Sequence, residues 1–419
     1  MRKVGEYFGV PLAYWVIAFL SAGLALGLFF PKDPFVKFLY LSGTYFPKAV
    51  VTFAPFIIFN LLAASIAKLV LSSRYKAGRL FGLLLGLYVL MGLGALLFVS
   101  LWIPFLIKAP FFQQGVSRFV PGEWEDQIAR TFSDILVGQP LLQALMGAMG
   151  IGFWTARIPA LYPVAQGLIK VGDLIVSVLF KKLLWYYPIM IGCLAIGIPM
   201  KFGSKGIAVY GQTVLWVSLV TISWCGLLVI FAFLFTRRDL KQILLYYASV
   251  WPTGFGTGGS YNTMAVNIVS AEKDLGLRKE IAETTIVFGT VLNRGCSTMS
   301  VLLVTITVAK LLQIPLSFED IIMLIPPILV LGLQTPGIPG GTAFFMSPML
   351  AVLLKAPDTG IFVTTFVTVF SGLIPMLNAA GNTTSSGIVG AFLQDRFVDF
   401  LALADIWGSK GEKERAYGT

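Results

Sequence analysis

The sequence predicts an all-α polytopic membrane protein of eight transmembrane helices and two re-entrant helical hairpins. Composition, the length of the apolar runs and the placement of charge all point there. Apolar residues make up 57% of the 419 and charged residues 12%, and mean hydropathy is +0.84. A soluble domain carries roughly a quarter charged residues, so this chain is solvated mainly by lipid. The apolar runs are too many and too long for a cleaved signal or a single anchor. The longest polar stretches lie at about 108–134 and from about 396 onward, so no separate soluble domain is expected.

Taken in order, the apolar segments fall at about 11–30, 45–72, 79–107, 135–171, 172–200, 206–236, 280–313 and 360–395. Each reaches or exceeds the roughly 20 residues a helix needs to cross about 30 Å of hydrocarbon. Segment 135–171 carries Gly147, Gly150, Gly152 and Pro159 and is expected as several short pieces. Basic residues gather at segment ends: Arg2/Lys3, Arg74/Lys76/Arg79, Arg237/Arg238/Lys241 and Arg278/Lys279. That is the pattern of cytoplasmic loops, and it puts both termini in the cytoplasm of an inner-membrane protein. The loop with Glu123, Glu125 and Asp126 suits the other side. Topology therefore explains the excess of 31 Lys+Arg over 20 Asp+Glu, and no nucleic-acid partner is expected. Cys193, Cys225 and Cys296 lie inside apolar segments without paired spacing, which gives neither a disulfide framework nor a metal motif. Histidine is absent, removing the commonest metal ligand and proton shuttle. No cofactor and no enzymatic chemistry are expected.

Two regions break the spanning pattern. Between the charged loops at 237–242 and 272–280, the first apolar arm before Pro252 holds only about nine residues, or roughly 14 Å of helix. Both flanks are basic, so the chain is expected to enter and leave on one side, with its tip at Gly254 to Thr263. Residues 321–355 repeat the design from the opposite face, around Thr335-Pro336-Gly337-Ile338-Pro339-Gly340-Gly341. Non-helical backbone at membrane depth survives only where protein or water satisfies its polar groups. Paired interrupted segments point to an inverted repeat around a midplane site; the plainer alternative is that these glycines serve loops or helix packing.

Two helices carry the polar residues. In the segment after the first hairpin, Gly289, Asn293, Arg294, Gly295 and Ser297 interrupt an apolar run. An arginine inside a membrane helix marks a functional site by default, and no late segment offers a deep acid to pair it. In the last segment Asn378 and Asn382 lie at i and i+4, on one face, within the polar run Gly381 to Ser386.

At these residues the chain resembles the dicarboxylate/amino acid:cation symporter family, which includes the glutamate and archaeal aspartate transporters. The order of six helices, hairpin, helix, hairpin, helix is shared over about residues 10–395. Gly337-Ile338-Pro339-Gly340-Gly341 resembles the family's V-P-G-A-G tip. Gly289-x-x-x-Asn293-Arg294-Gly295 resembles G-x-x-x-N-M-D, and Asn378-Ala-Ala-Gly381-Asn382 resembles N-x-x-G-D. The resemblance implies a glutamate-transporter-like elevator fold and a homotrimer. Scaffold helices would occupy 1–77 and 135–200, the third helix and an external loop 78–134, the transport domain 201–396 and a cytoplasmic tail 397–419.

The departures matter as much as the matches. The resemblance places cation-site positions at Gly289, Val291, Asn293, Gly295, Thr335, Asn378 and Asn382. The family's two sodium-coordinating aspartates are replaced by Gly295 and Asn382, a sodium-site threonine by Val291, and a threonine–serine pair of the third helix by Met91-Gly92. A guanidinium about 4 Å from a would-be cation would cost roughly 4 kcal/mol at an effective dielectric near 20, nearly a thousandfold in affinity. Arg294 is therefore expected to stand in for a bound cation. Sodium coupling is doubtful, leaving H+ or no coupling ion. The arginine and aspartate that hold an acidic amino acid in the family are replaced by Ile374 and Ser371. The expected substrate is a small neutral or monoanionic organic solute. It would be held by Ser260, Tyr261, Asn262, Arg294, Ser297 and Asn378, and gated by Ile338-Pro339-Gly340. The competing expectations are an anion-conducting channel or uncoupled facilitator, and a sensor that keeps the fold without transport.

Overall fold

A computed structural model describes residues 6–7, 10–72, 77–107, 140–178, 184–333, 335 and 340–397. Apart from a two-residue antiparallel pair, Glu6–Tyr7 with Val10–Pro11, every regular element among them is helical. The first half contains α1 (Leu12–Phe29), α2 (Pro34–Ser72), α3 (Ala77–Ile107), α4 (Pro140–Arg157), α5 (Tyr162–Val178), α6 (Leu184–Ala195) and α7 (Gly197–Phe235).

Helix α2 begins well before the apolar run at 45. Asp33 Oδ1 accepts from the N–H groups of Phe35 (2.8 Å) and Val36 (3.1 Å), and Pro34 sits at the first helical position, where its missing N–H costs nothing. The expected fragmentation of 135–171 is present, as α4, a 3-10 turn at Pro159–Leu161 and α5. Pro159 causes it; the glycines at 147–152 do not interrupt α4. The boundary expected near 200–206 is a kink inside α7 at Gly203, whose φ of 62° breaks the helical path.

The second half contains α8 (Leu240–Thr257), α9 (Ser260–Lys273), α10 (Lys279–Leu292), α11 (Gly295–Leu311), α12 (Phe318–Met323), α13 (Ile325–Gly332), α14 (Gly341–Leu353), α15 (Thr359–Phe370) and α16 (Leu373–Phe397). A capping box starts α8: Asp239 Oδ1 accepts from Gln242 N (2.7 Å) and Gln242 Oε1 from Asp239 N (3.1 Å). Gly258, left-handed at φ 63°, ends it. The first tip is thus Gly258-Gly259, narrower than the expected Gly254 to Thr263. Pro252 lies within α8, and Gly254 serves close packing, since a Cβ there would sit 2.8 Å from Ala380 Cα on α16. The second interrupted region carries α12 and α13 before the break and α14 after it, with Gly340 left-handed at φ 72°. Gly337, Ile338 and Pro339 lie outside the described residues.

The last apolar segment departs from expectation. Instead of one helix over 360–395, α15 and α16 meet at a 66° bend. Ser371 is extended (ψ 168°) and Gly372 has φ +84°, with the Tyr210 hydroxyl 2.8 Å from where a Cβ would lie. Tyr210 Oη donates to the Ser371 carbonyl at 3.2 Å, fixing the corner. Gly372→Ala is expected to lower stability by about 1–3 kcal/mol, because it forces a side chain into the left-handed region and against Tyr210. Thermal unfolding of the detergent-solubilised protein measures this, and an unchanged midpoint would contradict it.

Helices α11 and α16 form the centre, with α7, α8, α9 and α10 packed around them, while α2 lies against α4 and α5, and α1 against α6. Large apolar side chains face outward on the surrounding helices, including Phe29, Leu90, Leu101, Leu174 and Leu234; apolar surface in such quantity needs lipid. Among the described residues, Gly82–Ile103, Gly197–Phe235 and Ile281–Leu311 are each long and apolar enough to cross a membrane, and the bent α15–α16 pair makes a fourth if taken as one span.

Candidate functional site

The site is built on a break in the chain at Asn293–Arg294. Helix α10 ends as Asn293 turns extended (ψ 102°) and α11 restarts at Gly295. Such a break frees carbonyls on one side and N–H groups on the other, and inside an apolar span these must be met by protein. Arg294 meets the carbonyls. Its Nη2 donates to Thr290 O (2.7 Å), Nη1 to Asn293 O (3.4 Å), and Nε to Thr335 O across the second interrupted region (2.9 Å). Asn382 meets the N–H groups from α16: its Oδ1 accepts from Cys296 N (2.9 Å) and its Nδ2 donates to Ser297 Oγ (2.9 Å). Asn293 Nδ2 ties the break to α16 through Asn382 O (2.7 Å), Ser385 Oγ (2.7 Å) and Ser386 Oγ (3.0 Å). Its Oδ1 is buried without a partner among the described residues. Arg294 is 4% exposed and pairs with no carboxylate among the described residues.

The polar run of α16 divides into two kinds of residue. Thr383, Thr384, Ser385 and Ser386 return their hydroxyls to carbonyls one turn back, at 2.7–3.0 Å, so they are satisfied within the helix. Asn378 and Asn382 reach outward. Asn378 Oδ1 accepts from Ser300 Oγ at 2.6 Å, while its Nδ2 is buried without an acceptor among the described residues.

These groups surround a cleft open to solvent, with ≈280 Å³ of empty space counting that open solvent. Of the expected substrate residues, Ser260, Arg294, Ser297, Gly340 and Asn378 line it, and so does Asn382, which the resemblance places at a cation site. Tyr261 does not line it but is an electrostatic neighbour of Arg294, and Asn262 also stands outside the lining. Ser371 and Ile374 turn elsewhere: Ser371 Oγ donates to Val367 O and Ile374 is fully buried among apolar side chains. Gly341 opens α14 beside the lining residue Gly340. Gly289 is a packing position, since a Cβ there would meet Ser386 and the Tyr88 hydroxyl, and Val291 packs against an apolar cluster. Thr335 offers its carbonyl to Arg294 and turns its own hydroxyl to Gly332 O (3.0 Å). A Cβ at Gly295 would make ordinary contacts, the nearest being Ala95 Cβ at 3.4 Å. Sequence reasoning missed Gly258, Gly259, Thr342, Phe370, Pro375 and Ala379. The Gly-Gly pair was legible as a turn; the apolar members carry no local signal.

The fold and cleft define a polytopic helical membrane protein with a polar cleft at its central helix break. The chain belongs to the sodium:dicarboxylate symporter family, whose model matches residues 12–396. It is 26% identical over 365 residues to the serine/threonine transporter SstT of Lacticaseibacillus casei (strain BL23), covering 83% of this chain and 80% of that protein. It is 25% identical over 220 residues to the human neutral amino acid transporter B(0), covering 51% of this chain and 40% of that one. An excitatory amino acid transporter of Onchocerca volvulus is 21% identical over 258 residues, covering 60% of this chain and 52% of that one. The protein is thus a divergent membrane transporter of the symporter type, multi-pass in the plasma membrane, and not an enzyme.

Proposed function

We propose that this protein is a secondary transporter that moves a small organic solute across the inner membrane without sodium coupling. One observation carries the sodium claim: the Arg294 guanidinium donates to two main-chain carbonyls at the helix break and to that of Thr335. Such oxygens are the ligands a hard monovalent cation prefers, and here a fixed cation already occupies them. No lining side chain of the cleft is a carboxylate, so nothing compensates a second positive charge. Coupling is to H+ or to no ion.

The finer architecture belongs to the same reading. Eight spans, with α8–α9 and α12–α14 as re-entrant hairpins, put the cleft at mid-membrane. Both termini are cytoplasmic, and three copies assemble around the scaffold helices while residues 201–396, with the third helix, shuttle the solute. The left-handed glycines 258 and 340, one at each tip beside the cleft, support the paired-hairpin arrangement.

Uptake into proteoliposomes, with an inward sodium gradient or with choline replacing sodium, tests the proposal. Initial rates are expected to agree within about twofold; a strict sodium requirement defeats it. A cationic cleft without an acid also suits an anion pore. Saturable counterflow of a labelled solute is expected, and steady single-channel current would favour the pore instead.

A further inference from the structure

Helix starts and a guanidinium meet at the cleft. Helix α9 starts at Ser260 and α14 at Gly341, each after a glycine that gives no side-chain cap. Both starts line the cleft. A helix start carries the equivalent of roughly half a positive charge and presents unmet N–H groups. The start of α11 is the third at the same place, with Arg294 at its N-cap. A second, independent observation is Asn378. Its carbonyl oxygen is taken by Ser300, and its Nδ2 is buried without an acceptor among the described residues while the residue lines the cleft. That donor needs an acceptor from a ligand. Against these stand the end of α8 at Gly258 and no carboxylate among the described lining residues, whose apolar members are Phe370, Pro375 and Ala379.

Resting on the transporter reading above, we propose that the cleft selects a singly charged organic anion with no ammonium group, a small hydroxy- or keto-monocarboxylate. The carboxylate takes the guanidinium and the helix starts. The hydroxyls of Ser260, Ser297 and Thr342 suit an oxygen substituent, and the apolar wall takes the short carbon body. An amino acid of the same shape would place its ammonium among donors and positive helix ends with no acid to receive it. A second carboxylate would be pressed against Phe370 and Pro375 with no second cation.

Lactate and alanine make the decisive pair, since they differ only in hydroxyl against ammonium; succinate probes the second charge. Thermal stabilisation of the purified full-length protein and counterflow in proteoliposomes are measured for each. Lactate is expected to bind roughly 10- to 100-fold more tightly than alanine, the factor implied by a buried charged donor without an acceptor, and succinate to fall below lactate. Asn378→Asp keeps an oxygen for Ser300 and adds an acceptor for ammonium, so it should move the preference toward alanine. Asn378→Ala should weaken lactate without raising alanine. Alanine equal to or better than lactate in the unaltered protein overturns the inference and leaves the transporter reading standing. The same holds for a panel of hydroxy- and keto-monocarboxylates that gives no stabilisation. Channel current in place of counterflow overturns the transporter reading, while the lactate–alanine difference in stabilisation still decides the anion preference.

Discussion

Arg294→Met is expected to cut the initial rate of solute counterflow by about 100-fold or more. The substitution fills similar volume but leaves the carbonyls of Thr290, Asn293 and Thr335 without their donor. Each buried acceptor left unmet costs about 1–3 kcal/mol, and about 3 kcal/mol of lost complementarity corresponds to the stated factor. Arg294→Lys retains the charge but replaces the planar fork with a single point donor, so it should fall between the two. Rates are compared at matched incorporation into proteoliposomes, and size-exclusion profiles check that the variant is folded. Counterflow at the unaltered rate in Arg294→Met would remove Arg294 from the mechanism.

The second large effect is a gain. The combined variant Arg294→Met, Gly295→Asp, Asn382→Asp is expected to show uptake stimulated about tenfold or more by an inward sodium gradient. It removes a repulsion of roughly 4 kcal/mol and supplies two carboxylates beside the freed carbonyls. A Cβ at 295 would make ordinary contact with Ala95 Cβ at 3.4 Å, and an acid in the first turn of α11 is favoured by the helix dipole. Asp at 382 keeps an oxygen for Cys296 N, though it loses the donor to Ser297. Gly295→Asp and Asn382→Asp with Arg294 left in place should remain sodium-insensitive, because the fixed cation still holds the carbonyls. Sodium stimulation in that double variant would mean the guanidinium is not the obstacle.

Much of the site was visible before any tertiary contact was known. Arg294, Asn378 and Asn382 stand out because polar groups in an apolar helix need a reason, and all three line the cleft. Gly289 is small so that α10 can approach Ser386 and Tyr88, and the hydroxyls of α16 donate within their own helix while Ser385 and Ser386 also accept from Asn293. Likewise Ser371 and Ile374, aligned to substrate positions, lie at the bend between α15 and α16 and face away.

Taken alone, the sequence determined what solvates the chain, which stretches are apolar and which are interrupted by glycine and proline, and that Arg294 falls in an apolar run with no acid beside it. Those properties are local: apolar length, glycine and proline, and the sign of charge are written residue by residue. Tertiary structure decided which groups meet. Asn382 caps a helix whose start lies more than eighty residues away, Arg294 reaches the carbonyl of Thr335 on another segment, and Tyr210 sets the corner at Ser371 and Gly372. Pairings between distant segments depend on how helices pack against one another, and no local pattern records that packing.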